Sequence, residues 1–278
     1  MIRPTQPHRG QFFRYFLLIL IVVLVLLPLS SLVFSAIRGP SAPNTSPFSL
    51  PASISLERFR EAWFVGRFNL FFKNSILVAV IVVAVSVLLS TLSGYATGLL
   101  PMPGRRLLYG LMLIGFMVPF EAAIIPLYHL MDRLSLLDSY WALILPQIGL
   151  SVSFGTMWMG SFFESAPREL IDAAVMDGAN RWQALWKVLF PMARPATTTL
   201  IVLLFMWTWN EFLLALVMVQ NEAMRTLPVG LAFFQGRYSA NVPLLAAAAL
   251  IVALPTVLVY ILFQRFFIRG MLGGAIKG

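Results

Sequence analysis

Long stretches without Asp, Glu, Lys or Arg alternate with shorter polar ones along this chain. The first lies between Arg14 and Arg38, and the second between Lys73 and Arg105. The third runs from Arg106 to Met131, interrupted by Glu121, and the fourth lies between Asp138 and Glu164. The fifth runs from Pro195 to Gln220, interrupted by Glu211, and the sixth lies between Arg237 and Arg265. A helix of about 20 apolar residues crosses the hydrocarbon core of a bilayer, where loose backbone groups find no partner. The pattern therefore predicts an all-α membrane protein of one domain. It places six transmembrane helices at about residues 15–37, 74–99, 107–131, 139–163, 195–220 and 238–264. The first apolar run, Tyr15 to Ile37, exceeds the 7–15 residues of a signal-peptide core, so it reads as a span rather than a cleaved leader.

Composition supports this. Hydrophobic residues make up 59% of the chain and charged residues 11%, against about 25% charged in a soluble domain. There is no cysteine, which excludes disulfides, thiolate metal sites and cysteine nucleophiles. His8 and His129 have no partner at ligand spacing, so no metal site is expected. The net charge of +9 sits mostly beside apolar runs, which fits anionic headgroups rather than nucleic acid. With the N-terminus cytoplasmic, the inner segments hold Arg3, Arg9, Arg14, Arg105, Arg106, Arg168, Arg181, Lys187, Arg194, Arg265, Arg269 and Lys277, which is 12 of the 20 basic residues. That bias favours both ends inside. The first outer loop is irregular, with Pro40, Pro43, Pro47 and Pro51 among serines, and then Leu56 to Phe64 reads as a short amphipathic helix.

One polar segment, residues 165–194, breaks the pattern. Pro167 suits a first helical position, and Glu169 complements the positive end of a helix. Leu170, Ala173, Ala174 and Asp177 recur at helical spacing and share a face. Gly178 permits a turn, after which Trp182, Leu185, Trp186 and Leu189 repeat the spacing until Pro191 and Pro195 stop it. The segment reads as two short helices meeting at a glycine. The first shows small residues and acids, which suit a protein partner better than a lipid surface. The second has a bulky face that can pack under the spans.

Asp172-Ala173-Ala174, Asp177-Gly178-Ala179 and Phe190-Pro191 together resemble the EAA loop of permease subunits of ATP-binding-cassette (ABC) importers. Asp172 stands where that family usually has Glu, and Phe190 where Leu is common. Asn74-Ser75, Ile125-Pro126-Leu127-Tyr128, Leu136 to Tyr140, Trp209-Asn210-Glu211-Phe212 and the ending Arg269-Gly270 to Lys277-Gly278 are similar to the carbohydrate-uptake, maltose-type branch. The resemblance implies a type I permease architecture with a cytoplasmic coupling-helix loop. It implies ATPase docking through Glu169, Asp172, Ala173, Ala174, Asp177, Gly178, Ala179 and Trp182. It implies a second permease subunit, two ATPase subunits that bind ATP and Mg, and an extracytoplasmic solute-binding protein. The location implied is a bacterial or archaeal cytoplasmic membrane, with the basic, glycine-rich tail reaching the ATPase dimer. The substrate implied is a sugar or related polyhydroxy solute. This chain itself is expected to bind no cofactor.

Glu121 and Glu211 are the acids within spans, and intramembrane acids usually face protein or a water-filled path. At a helical rise both fall roughly 22–24 Å from the inner edge, in one outer-half layer. Glu121, Asn210 and Glu211 are thus candidates for lining a translocation path. The competing role, tying helices together or meeting the partner permease, stays open. Trp207 and Trp209 lie beside this layer. No phosphate loop of the GxxxxGK[ST] kind is present. A stand-alone secondary transporter is the alternative, though no internal repeat favours it. A membrane hydrolase has only His129 to offer and no serine motif. No catalytic residue is expected.

Overall fold

The computed structural model describes residues 8–39, 48–51, 53–234 and 241–275, and these are predominantly helical. The described residues fall into two compact units, those within 1–68 and 231–253 and those within 69–230 and 254–278.

In the first unit, helix α1 (His8–Ile37) carries Pro28 in its interior. The Ser30 and Ser31 hydroxyls donate back to the Leu27 and Pro28 carbonyls of the same helix, so neither carries an unpaired hydroxyl into the apolar run. Residues 11–29 of α1 are exposed throughout. Beyond α1, Arg38 pairs with Ile54 in a single antiparallel bridge. The expected outer-loop helix is α2 (Glu57–Val65). Its buried face is not apolar throughout, because Arg58 lies there and donates to the Arg38 carbonyl at 2.7 Å. Pro40, Pro43 and Pro47 lie outside the described residues.

The second unit is built around α3 (Phe68–Leu99) and α6 (Tyr140–Glu164). Helix α3 begins at Phe68 rather than Asn74. Its small residues Ser86, Ser90, Gly94 and Gly98 recur every fourth position, so they form one stripe. This stripe meets Gly155, Thr156 and Gly160 of α6. Ser93 and Thr156 share a hydroxyl hydrogen bond of 2.6 Å. A methyl group on Gly94 would lie 2.7 Å from the Met159 Cβ, and one on Gly98 would lie 2.8 Å from the Gly160 carbonyl oxygen. In a bilayer, where apolar burial gives helices no preference for each other over lipid, such close approach supplies the attraction.

Two apolar clusters grip the ends of α6. One surrounds Ala142, Leu143 and Ile144 and includes Val78, Leu214 and Met218. The other surrounds Met159 and Phe163 and includes Tyr95, Leu185, Leu189 and Leu200. The middle of α6 lies between them.

The expected straight helix at 107–131 is broken. It consists of α4 (Arg105–Met117) and α5 (Phe120–Arg133), bent by 99°. Val118 precedes Pro119, which disfavours helical backbone, and Val118 is accordingly extended at φ −65°, ψ 121°. The expected helix at 195–220 also stops early, at Trp209. An irregular turn then leads to the short α11 (Leu213–Met218). The expected span at 238–264 corresponds to α12 (Val242–Ala275), whose residues before Asn241 in that range lie outside the described residues. Among the described residues, four helices are long and apolar enough to cross a membrane, and two bent pairs bring the number to as many as six.

Candidate functional site

The polar segment folds as α7 (Arg168–Met176), then α8 (Arg181–Gln183), a wide π-helical turn at Ala184–Leu189, and α9 (Phe190–Met192). Gly178 adopts φ +78°. Its N–H donates to Val175 and the Ala179 N–H reaches back to Ala174 at 2.9 Å. This is the paired bonding of a Schellman stop, which requires a left-handed residue. Asn180 then opens the next helix with a capping box. Its side chain accepts from the Gln183 N–H, and its own N–H donates to the Gln183 side chain. Asn180 and Gln183 went unread in the sequence, although their Asn-x-x-Gln spacing is such a signal.

Pro191 does not stop the second helix as expected; it sits inside α9, and the direction changes by 76° between α9 and α10 (Arg194–Trp209). The π turn before Pro191 widens the helix ahead of a residue that has no N–H to donate.

The segment is anchored on one side and open on the other. Leu185 and Leu189 are buried in the cluster with Tyr95 and Phe163. The Tyr95 hydroxyl donates to the Arg181 carbonyl at 3.1 Å, tying α8 to α3. Trp158 of α6 donates to the Ala196 carbonyl of α10 at 3.0 Å. The open side carries Glu169, Asp172, Ala173, Asp177 and Gly178. Two details differ from expectation. Ala174 is buried, and the open face includes Leu170, Val175 and Met176, the last 86% exposed. Trp182 faces outward at 60% exposure, so it does not pack beneath the spans with Leu185 and Leu189 but stands on the open side with the other expected docking residues. Ala179 is half-buried. The register of α7 explains the first: Ile171 and Ala174 point inward, which turns Met176 outward.

The candidate path residues gather at helix breaks, so a straight-helix depth does not apply to them. A cavity of about 660 Å³ opens where α4 and α5 part and where α10 ends. Asn210 and Glu211 line it together with Gln147 and Ser151 from the middle of α6. Glu121 is not among the residues that line it. Asn210 donates to the Met206 carbonyl and to the Thr256 hydroxyl of α12. The Glu211 carboxylate accepts from the Leu214 N–H at 2.8 Å, holding the start of α11 (Leu213–Met218). Both residues therefore secure broken helix ends while facing the cavity. Trp207 also lines the cavity, whereas Trp209 is buried against Phe72 and Phe205.

Residues 90–272 match the family of binding-protein-dependent transport system inner membrane components. The chain belongs to that family. It is 34% identical to the sulfoquinovosyl glycerol transport permease SmoH of Agrobacterium fabrum, over 99% of this chain and 98% of the relative. It is 33% identical to the diacetylchitobiose uptake permease NgcG of Streptomyces coelicolor, over 90% and 83% respectively. The trehalose transport permease SugB of Mycobacterium tuberculosis is 32% identical over 88% and 90%. The crystal structure of a bacterial ABC transporter that imports the acidic polysaccharide alginate contains a chain with the same fold. Its TM-score is 0.81 at 24% identity, covering 95% of this chain and 100% of that one. The relatives are transport permeases rather than enzymes, and the chain is a multi-pass membrane permease subunit.

The fold also explains motif residues of the permease that had no role in the sequence. At the Tyr140 end of α6, Asn74 donates to the Ala223 and Arg225 carbonyls, both at 2.9 Å, and accepts from the Tyr140 hydroxyl. Ser75 accepts from the Leu227 N–H. Asp138 accepts from the Gln220 and Asn221 N–H groups at 2.6 and 2.8 Å. Three side chains thus clamp the irregular segment 220–227, and Tyr140 holds one of them, Asn74, in place. Their spacing in sequence, with partners some 150 residues apart for Asn74, gives no local signal.

Proposed function

We propose that this permease subunit moves a sugar or related polyhydroxy solute inward across a bacterial or archaeal cytoplasmic membrane. The work is driven by ATP hydrolysis, with Mg, on two separate ATPase subunits. A second permease subunit completes the path, an extracytoplasmic binding protein delivers the solute, and both termini are cytoplasmic. The sugar-transport names of the relatives favour this substrate class.

The observation that carries the proposal is the two-sided segment at 168–192. Its open face combines acids with Leu170, Val175, Met176 and Trp182, a composition suited to a protein cleft. Its closed face locks onto α3, α6 and α10. A push on α7 therefore reaches Tyr95, Phe163 and Leu200 through packed side chains rather than a slack loop. An ATPase that binds one arrangement better than the other biases the permease toward it. The test is co-purification of the ATPase with permease in which Asp172–Ala179 is replaced by a flexible polar sequence. Loss of the ATPase is expected. Retention of the ATPase, or solute uptake that persists without it, overturns the proposal.

A further inference from the structure

We propose that the cavity beside the middle of α6 is a binding niche, within this chain, for an uncharged polyhydroxy solute, and that Glu211 helps turn anions away. This deepens the reading above and rests on it.

The size is right for such a ligand: about 660 Å³, inside the range of roughly 300–1,000 Å³ typical of small-molecule sites. The lining has two chemistries. Phe116 and Trp207 form an aromatic wall, each about half exposed. Phe154 braces both from behind, with ring centroids 5.5 Å from Phe116 and 4.9 Å from Trp207. A sugar ring turns a face of C–H bonds outward, and the negative face of an aromatic ring attracts it.

The second chemistry is hydrogen bonding. Ser151 and Thr208 are each only 8% exposed and line the cavity. Neither hydroxyl bonds to another part of the protein among the described residues, and neither is among the side-chain atoms shut away from solvent, so both are free to bond a molecule in the cavity. Gln147 spends its amide N–H on the Leu143 carbonyl, leaving its carbonyl oxygen to accept. A solute with several hydroxyls satisfies these groups, and a lipid chain satisfies none.

Charge narrows the class further. The lining contains Glu211 and no Lys, Arg or His among the described residues. An anion entering here would lose its water and gain no counter-charge, while facing a carboxylate.

The test is equilibrium binding to the detergent-purified transport complex without its solute-binding protein. Radiolabelled glucose, maltose, trehalose and diacetylchitobiose serve as neutral probes, and maltobionate as an anion of disaccharide size. We expect at least one neutral probe to bind about tenfold or more tightly than maltobionate. Trp207→Ala and Ser151→Val each weaken that binding by roughly two- to tenfold. Glu211→Gln keeps an acceptor for the Leu214 N–H and narrows the neutral preference at least about threefold. Equal or tighter binding of maltobionate overturns the inference. So does sugar binding that is indifferent to all three substitutions, or a niche filled by co-purifying phospholipid that no probe displaces. ATP-dependent uptake into proteoliposomes, measured alongside, separates the two levels. Uptake without these binding effects sinks the niche alone, whereas uptake that needs no ATPase sinks the importer reading.

Discussion

Gly178 offers the sharpest test of how the docking segment holds its shape. Its backbone sits at φ +78°, and a methyl group built on it meets nothing within 4 Å. Gly178→Ala therefore creates no clash inside the permease, and its whole effect comes from forcing an alanine into the left-handed region. That costs about 1–2 kcal/mol, equivalent to roughly a five- to thirtyfold loss of the docked shape against alternatives. Asparagine tolerates this region better, so Gly178→Asn should fall between wild type and alanine. The measurement is the Kd of the purified ATPase for detergent-solubilised permease complex, with permease thermal stability as a control on the spans. The expected order of affinity is glycine, asparagine, alanine. Alanine binding as tightly as glycine refutes the argument. Asparagine binding no better than alanine also refutes it, because the loss would then come from side-chain bulk at the partner surface.

Other outcomes follow from the same geometry. Gly94→Ala places a methyl group 2.7 Å from Met159 and 2.8 Å from the Gly160 backbone, and should destabilise the permease by about 1–3 kcal/mol, read as a lower Tm in detergent; Gly110→Ala, with open space around it, should leave Tm unchanged. Asp138→Ala removes two short backbone bonds and should cost about 1.5–3 kcal/mol, visible as faster proteolysis within residues 220–227. Tyr95→Phe deletes the tie to Arg181 and should cost about 1 kcal/mol, with transport per ATP hydrolysed falling more than ATPase binding; equal losses in both would argue against a transmitting role. Glu164→Gln breaks an exposed ion pair with Arg105 of 2.9 Å and should change stability by less than about 1 kcal/mol.

The sequence exposes those parts of the fold that depend on neighbours along the chain. Apolar runs long enough to span show in the hydropathy pattern, and the turn at Gly178 shows because few other residues accept its backbone angle. The break at Val118-Pro119 was equally open to reading, since proline restricts the residue before it, but the surrounding apolar run masked it. The face of α7 was read less well. Ala173 and Ala174 are adjacent and chemically alike, yet one is open and the other buried. Only the packing of Ile171 against the cluster around Leu185 fixes that register. The clamp of Asn74, Ser75, Asp138 and Tyr140 was recognisable as a set of motif residues without a reason. Its reason is a set of backbone groups on a distant segment, which composition and periodicity do not carry. The cavity is likewise assembled from α4, α5, α6 and α10, and its hydroxyls become conspicuous only when burial and missing partners are known.

The division of the chain bears on biosynthesis. Residues 69–230 leave the ribosome as one block, whereas the unit that contains α1 and α2 needs residues 231–253 as well. Helix α1 thus belongs to a unit whose remaining part is made more than 160 residues later along the chain. The first third of helix α12, up to Ala253, belongs to that remaining part, and its continuation beyond Ala253 belongs to the other unit. Helix α12 contributes residues to both units, so each is incomplete without it. A nascent chain arrested before Val242 would leave both unfinished at once, so quality control acting on either would detect the same truncation.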